Sequence, residues 1–312
     1  MSAASLVPLS ALELRDAVRN SRRYDPLRLS CVLGVDDRTG LVEVQAHTPW
    51  RAIADRLRPG DAKAAATRTT MTTVGESIAT NAAGPDGRPA VVHVESLTLV
   101  TAEGELKRVS RHAHHELFAL TVGGQGLFGA LYSVTLRVEQ MSRSVAQQSR
   151  PETIVGAGSE AGRQMLRLLV PPERLASCIE QLKARCEEWR TAPEGLEVRR
   201  VLDEDETYLR WAPREYTEIG IRLGSSASIG GAVRMAQLAR DLIDIAIEHG
   251  GSFPIATTTQ ATRAQAEACY PRLNAFLAEK RRLDPAERLT NAWYTRYRGL
   301  LLAEQIQVRW GR

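Results

Sequence analysis

The sequence of 312 residues has few cysteines and no long apolar run. Its four cysteines, Cys31, Cys178, Cys186 and Cys269, form no C-x-x-C pair, which argues against a zinc ribbon and a thioredoxin-type redox site. Cysteines scattered in this way are typical of proteins in a reducing compartment, so we expect a cytoplasmic protein. Residues 1–23 lack the basic-then-apolar pattern of a secretory signal, and no stretch is long and apolar enough to predict a transmembrane helix.

Neither charge nor metal-ligand spacing points to a special class of partner. The chain has 41 basic and 37 acidic residues, for a net charge of +4, which does not by itself indicate nucleic acid. The tryptophans are isolated and not interleaved with basic residues, so we predict no nucleic-acid partner. His112, His114 and His115 lie close together without further ligands, and we predict no metal site. Basic residues near both chain ends are typical of a solvated face. The alternative is contact with an anionic ligand, with a lipid surface as in peripheral membrane contact, or with an acidic partner.

Composition predicts an ordinary folded chain of two domains. Hydrophobic residues make up 43% and charged residues 25%, and domains average about 150 residues. The composition changes after about residue 140, and the polar segment 141–161 is interpreted as a linker. The expected order of elements in the second half, strand–helix–strand–strand–helix–strand, predicts an α+β fold.

Hydrophobic periodicity and turn signals predict the individual elements. In the first half we expect helix 10–22 and strands 29–35, 41–47, 91–101, 105–110 and 130–138. In the second half we expect strands 163–170, 196–202, 215–223 and 252–257 and helices 172–190, 229–249 and 262–281. Residues 61–84, rich in threonine, alanine and glycine, show little apolar periodicity.

Two segments rich in small residues are candidates for ligand contact. The first glycine segment, 73–84, reads TVGESIATNAAG, and the second glycine segment, 122–130, reads VGGQGLFGA. Glycine lets the backbone approach a ligand, and successive N–H groups can bind an anion. Neither segment is followed by Gly-Lys-Ser/Thr as in a P-loop, and neither matches the Rossmann turn G-x-G-x-x-G. Tight turns and close packing of elements are the alternative explanation of both segments.

Taken together and in order, the two segments resemble one family. The pattern T-V-G-x-x-I-A-T-N, a strand ending L-V-x-A-E-G-E, and then E-L-F-x-x-x-V-G-G-x-G-L-F-G-x-L-x-x-V-T-L is similar to the FAD-binding domain of vanillyl-alcohol-oxidase and para-cresol-methylhydroxylase (PCMH) type flavoproteins. The resemblance spans residues 41–138. It implies that both glycine segments line an FAD cofactor. The implied cofactor-binding residues are Thr73, Val74, Gly75, Ser77, Ile78, Ala79, Thr80, Asn81, Gly84, Gly123, Gly124, Gly126, Gly129 and Ala130.

The second half resembles the cap domain of a subgroup similar to sterol side-chain reductases and decaprenylphosphoryl-ribose oxidases. The segments that carry this likeness are 206–212, 250–252, 270–277 and 280–285. The resemblance implies a truncated PCMH-type FAD-binding domain at 1–140 and an α+β cap domain for the substrate at 141–283. It also implies that residues 284–312 return to the FAD-binding domain.

Three departures from the family pattern bear on activity. The family's R-G-x-G-x-S-type loop has no counterpart between helix 10–22 and strand 29–35, which excludes a histidine-linked flavin there and leaves non-covalent FAD. After Asn81 the chain has Ala82-Ala83-Gly84 in place of the common His-Gly. The expected strand after Ser252 reads FPIATTT, and none of its side chains is a conventional base near pH 7. No catalytic residue is assigned.

Two hypotheses of different class follow. In the first, the chain is an FAD-linked oxidoreductase that transfers a hydride between flavin and an alcohol or alkene, with a small-molecule or lipid-like substrate. In the second, it is a pseudoenzyme: a flavin-less, non-catalytic relative that acts as a partner or scaffold subunit. The second hypothesis predicts a homo- or hetero-oligomer, because a lost loop leaves neighbouring strands uncovered.

Overall fold

The chain folds into two compact units. The computed structural model describes residues 6–20, 25–54, 56, 73–84, 86–138, 152–155, 164–224 and 228–299. The first unit takes its residues from three stretches of the chain, 1–148, 206–209 and 274–312, and the second unit takes the remainder. Both units combine helices with an antiparallel sheet, so the mixed helix and sheet composition expected from the sequence is confirmed.

The sheet of the first unit has the strand order β1-β2-β5-β3-β4. Its strands are β1 (Val32–Asp36), β2 (Leu41–Gln45), β3 (Val94–Val100), β4 (Leu106–Ser110) and β5 (Ala130–Arg137). All neighbouring strands are antiparallel, and β5 in the centre pairs with both β2 and β3. Apolar residues alternate along the central strands and are buried on one face of the sheet, as expected because successive side chains of a strand point to opposite faces. All five strands were expected from the sequence, with ends that differ by up to three residues.

The described helices follow the polar–apolar pattern of their sequences. Their bounds are α1 (Ala11–Arg19), α2 (Trp50–Ala54), α3 (Val74–Thr80), α4 (His115–Thr121), α5 (Leu175–Glu188), α6 (Ile229–Glu248), α7 (Arg263–Cys269) and α8 (Leu273–Leu283), and residues 292–299 are also helical. Ser10 caps α1 by accepting a hydrogen bond from the N–H of Glu13. In the first unit, Trp50, Ile78 and Phe118 from three helices join the buried residues of the sheet in one core cluster.

The sheet of the second unit has the strand order β6-β8-β9-β7. Its strands are β6 (Glu152–Val155), β7 (Gln164–Val170), β8 (Gly195–Val201) and β9 (Tyr216–Leu223). Strand β6 lies inside the segment that was expected to be a linker, so that expectation is wrong at these four residues. Residues 153–155, Thr-Ile-Val, are all β-branched and suit a strand, and β6 pairs with β8. The rest of 141–161 lies outside the described residues.

Two other expectations in this half are wrong. Residues 252–257 form a turn and not a strand, apart from a single bridge between Ser252 and Leu169. Pro254 has no N–H for a ladder, and the Tyr270 hydroxyl donates to the carbonyl of Phe253 and accepts from the N–H of Ile255. The expected helix 262–281 is two helices, α7 and α8, because Pro271 interrupts the helical hydrogen bonds.

No helix in the described part of the chain is both long and apolar enough to cross a membrane.

Candidate functional site

The two glycine segments lie against each other in the first unit. The N–H of Gly123 donates to the carbonyl of Ile78 over 2.8 Å. The backbone N–H and the side-chain Nε2 of Gln125 both donate to the carbonyl of Ala79, over 2.9 and 3.1 Å. The carbonyl end of α3 is therefore bonded to the loop between α4 and β5. Two segments that are separate in the chain thus form one structural element, which we call the glycine cradle (73–84 and 122–130).

The backbone N–H groups at the N-terminus of helix α3 already donate to acceptors within the protein. Thr73 and Glu76 form a reciprocal capping box. The N–H groups of Val74 and Gly75 donate to the carbonyls of Thr48 and Ala46, over 3.0 and 2.7 Å. Because the first turn already has acceptors, this seven-residue helix offers no open anion site at its start.

Three of the glycines are required by packing. A Cβ at Gly75 would lie 2.7 Å from the carbonyl oxygen of Ala46, and one at Gly124 would lie 1.9 Å from that of Leu120. At Gly129 a Cβ would lie 2.6 Å from Cδ1 of Leu99. Contacts this short do not occur with real Cβ atoms, so these positions bring backbone and core side chains together. Close packing, the alternative explanation of the segments, therefore accounts for part of the glycine content.

Gly123 and Gly126 have a different reason to be glycine. Their φ angles are +74° and +72°, a region that side chains with a Cβ rarely adopt. Gly126 is exposed, and a Cβ there would meet no atom within 4 Å. Within the described residues its N–H donates to no acceptor. The backbone N–H of Gly126 is therefore accessible to a ligand.

The other predicted site residues divide by burial. Asn81 ends α3 with φ of +48° and accepts the N–H of Val91 on its side-chain oxygen, over 2.9 Å. Ser77 accepts the indole N–H of Trp50 over 2.9 Å. The buried members of the set are Thr73, Val74, Ser77, Ile78, Asn81, Gly84, Gly124, Gly129 and Ala130. The partly or fully exposed members are Gly75, Ala79, Thr80, Gly123 and Gly126. Contact of either group with FAD stays a prediction.

Sequence reasoning missed two residues that fix the cradle. Gln125 adopts φ of +57°, which places its side chain over the end of α3. The side-chain amide of Asn291, far along the chain, donates to the carbonyl of Gln125 over 2.7 Å. Asn291 also accepts the N–H of Tyr294 and so caps helix 292–299. Asparagine is a common helix-capping residue, but the helix at 292–299 was not predicted, and sequence could not show which loop Asn291 contacts.

Tyr294 and Tyr297, two aromatic residues near the end of the described chain, are buried in the first unit. The hydroxyl of Tyr294 donates to Glu287 over 3.0 Å, and burial raises its pKa. The ring of Tyr297 lies 4.6 Å from that of Trp293. Packing explains the position of both rings.

The described residues supply few groups for nucleophilic or metal chemistry. The thiols of Cys178 and Cys186 are buried, and burial raises the pKa of Cys178 to about 11, which keeps it protonated at neutral pH. No group of three or more His, Cys, Asp or Glu side chains in this part of the chain is arranged to hold a metal ion. In the turn that follows Ser252, Thr258 is buried and Thr257 is exposed.

Comparison with known proteins finds a family match within the first unit. Residues 25–110 match the family model of an FAD binding domain. The matched range includes the first glycine segment, strands β1 to β4 and the Asn81–Val91 contact. No curated protein matches the chain. The family match supports FAD as the cofactor and a flavin-dependent oxidoreductase of the PCMH type as the class of protein.

Proposed function

We propose that the chain is an oxidoreductase that binds FAD non-covalently at the glycine cradle of its first unit. The match of residues 25–110 to an FAD binding domain carries this proposal. It is supported by the hydrogen bonds that join the matched segment to the second glycine segment, outside the matched range. An FAD diphosphate needs donors without obstructing side chains, and exposed Gly126 meets that need.

The residues of this chain would position the cofactor and not react with it. The N–H of Gly126 would donate to a diphosphate oxygen, and Gln125 and Asn291 would hold the loop in shape. The start of α3 would contribute packing only, because its donors are occupied. When bound, FAD supplies a two-electron acceptor for a hydride from an alcohol, or exchanges a hydride with an alkene.

The domain roles are part of the same proposal. Residues 1–140 would form an FAD-binding domain that lacks the R-G-x-G-x-S-type loop, residues 141–283 a cap for the substrate, and 284–312 the return segment. The bond from Asn291 to Gln125 supports a return of the chain to the cradle. The group that takes the substrate proton is not assigned, since the turn after Ser252 carries threonines and no stronger base.

An FAD titration of two matched glycine variants tests the assignment. Gly126→Ala adds a methyl group at a positive φ in the cradle, and Gly250→Ala adds one at φ of +73° in the second unit. Both replacements carry the same backbone strain, of about 1 kcal/mol. Alanine keeps the N–H, but its methyl group would occupy the space through which the diphosphate approaches this donor. We expect Gly126→Ala to weaken FAD binding by about tenfold or more, and Gly250→Ala to leave it unchanged.

Two results would contradict the proposal. Equal FAD affinity in the two variants would remove Gly126 from the site. A wild-type protein that shows no flavin band and ignores added FAD would overturn the enzyme hypothesis and leave the flavin-less partner subunit. In that case gel filtration should show an oligomer or a heteromer.

A further inference from the structure

One face of the sheet in the second unit carries an unusual set of charges. Residues that alternate along β7, β8 and β9 share a face, and the strand register places five charged side chains on the same one. We call this the arginine face: Arg167, Arg199 and Arg222 with Glu197 and Glu218. The opposite face carries apolar residues such as Leu168, Ile219 and Ile221, which are buried. The register also places buried Leu169, Val201 and Tyr216 on the arginine face, so this face combines five charged side chains with apolar ones.

Glu218 is the centre of the arginine face. Its side chain is only 3% exposed, and its carboxylate pairs with both Arg167 and Arg199. Arg199 donates from Nε and Nη2 to the two carboxylate oxygens, each over 2.9 Å. Arg167 contributes a single bond from Nη1. Arg222 pairs with Glu197 through Nη2 alone. Three guanidinium groups thus face two carboxylates, which leaves one positive charge in excess.

Several guanidinium N–H donors of the arginine face make no hydrogen bond to the described part of the chain. Within the described residues, Nε and Nη2 of Arg167, Nη1 of Arg199, and Nε and Nη1 of Arg222 have no acceptor. The side chains of Arg199 and Arg222 are only 17% and 14% exposed. None of their unbonded nitrogens is among the fully buried atoms without a partner, so these donors stay open to solvent and to an anion. Arg167 is 36% exposed and is the most accessible of the three. Excess charge and unsatisfied planar donors together suit an oxyanion.

We propose that the arginine face binds the carboxylate or phosphate group of a small anionic molecule, with Arg167 as the principal contact. Arg199 and Arg222 support the anion while they hold Glu218 and Glu197. Binding of this oxyanion does not depend on the proposed function.

Calorimetric titration of the full chain with inorganic phosphate and, separately, with succinate tests this site. The variant is Arg167→Gln, which leaves Glu218 paired with Arg199 by two hydrogen bonds. The control is Arg200→Gln, because Arg200 lies on the opposite face of the same sheet, is 56% exposed, and pairs with Glu215. We expect saturable binding of one probe, weakened about tenfold by Arg167→Gln and changed less than about twofold by Arg200→Gln. The probe that binds more tightly identifies the oxyanion as carboxylate or phosphate.

Specific results would contradict the proposed anion site. If wild type binds neither probe saturably, or if the two variants weaken binding equally, the arginine face only stabilises the sheet and the proposal is wrong. Thermal unfolding checks that Arg167→Gln is folded, and if it is not, Arg222→Gln takes its place with the same expectation. An FAD titration of the same samples separates the two proposals. Anion binding without FAD binding overturns the proposed function alone, and FAD binding without anion binding overturns this inference alone.

Discussion

At the scale of single residues, glycines of the cradle that look alike in sequence have different roles. Gly75 lies against the backbone carbonyl of Ala46, whereas Gly126 lies in open space. A glycine in a motif therefore does not mark ligand contact by itself. The sequence showed that small residues were needed here, but only the approach of β2 to α3 shows why Gly75 is one of them.

Gly75→Ala should destabilise the fold because its Cβ would lie 2.7 Å from a backbone oxygen that cannot easily move. We expect a loss of about 1–3 kcal/mol in the free energy of unfolding, measured by urea denaturation. Gly34→Ala is the control, since a Cβ there meets nothing within 4 Å, and its effect should stay within about 0.5 kcal/mol. Equal stability of the two variants would show that α3 and β2 are not closely packed.

Glu218 makes stability depend on pH. Burial by itself raises the pKa of its carboxyl group, but Arg199 and Arg167 outweigh burial, so the pKa lies below the ordinary value of 4.5. A carboxyl whose pKa is lower in the folded than in the unfolded state adds stability above the unfolded pKa. That stability is lost as the pH falls through 4.5 towards the lower folded pKa.

Urea unfolding of wild type and Glu218→Gln between pH 7 and the acid limit of the folded state measures this effect. The glutamine variant should be less stable than wild type at pH 7, and the difference should shrink as the pH falls below 4.5. A difference between the two proteins that stays constant with pH would mean that the carboxylate is not stabilised by its two arginines.

At the scale of elements, local signals predicted most strands and helices, and their failures have local causes. Strands of the first sheet alternate apolar and polar residues and were expected. The expected strand 252–257 is a turn because Tyr270, distant in sequence, takes its backbone hydrogen bonds. Helix α3 was not expected from periodicity, although Thr73 and Glu76 have the spacing of a capping box. The contacts that join the glycine cradle depend on tertiary structure and could not be predicted from spacing.

A buried ion pair stabilises the end of α8. Lys280 and Asp284 are paired at 0% and 2% side-chain exposure, and Asp284 also accepts the N–H groups of Arg288 and Leu289, each over 2.9 Å. Asp284→Ala would leave a buried ammonium and two backbone donors without their partner. We expect a loss of about 3–5 kcal/mol in the free energy of unfolding, measured by chemical denaturation.

The double variant Lys280→Met with Asp284→Asn separates charge from capping. It removes both charges but keeps a side-chain oxygen for one of the two backbone donors. It should recover a large part of the stability that Asp284→Ala loses. If the double variant is no more stable than Asp284→Ala, an unpaired buried charge is not the cause of the loss.

At the scale of the whole molecule, the first unit is assembled from distant parts of the chain. Leu289 joins Leu14, Val18, Leu29 and neighbouring residues in a second core cluster of this unit. Arg288 donates to the carbonyl of Ala102 over 2.9 Å, and Asn291 donates to that of Gln125. The first unit thus depends on residues that follow the second unit in sequence.

A fragment that ends at residue 148 should therefore fold less stably than the full chain. It lacks the side chain of Leu289 and both hydrogen bonds from the later segment. We expect amides in β3 and β5 to exchange with solvent faster in the fragment than in the full chain, measured by hydrogen exchange. Equal protection in the two proteins would show that the later segment adds nothing to the first unit.

The central claim is that this chain binds FAD, and an absorbance spectrum tests it most directly. The purified full chain is incubated with FAD, passed through gel filtration and scanned, and the flavin released by heating is quantified. The proposal predicts flavin bands in the blue and near-ultraviolet that elute with the protein, close to one FAD per chain. A colourless protein peak, with all of the FAD in the small-molecule fraction, would contradict the claim.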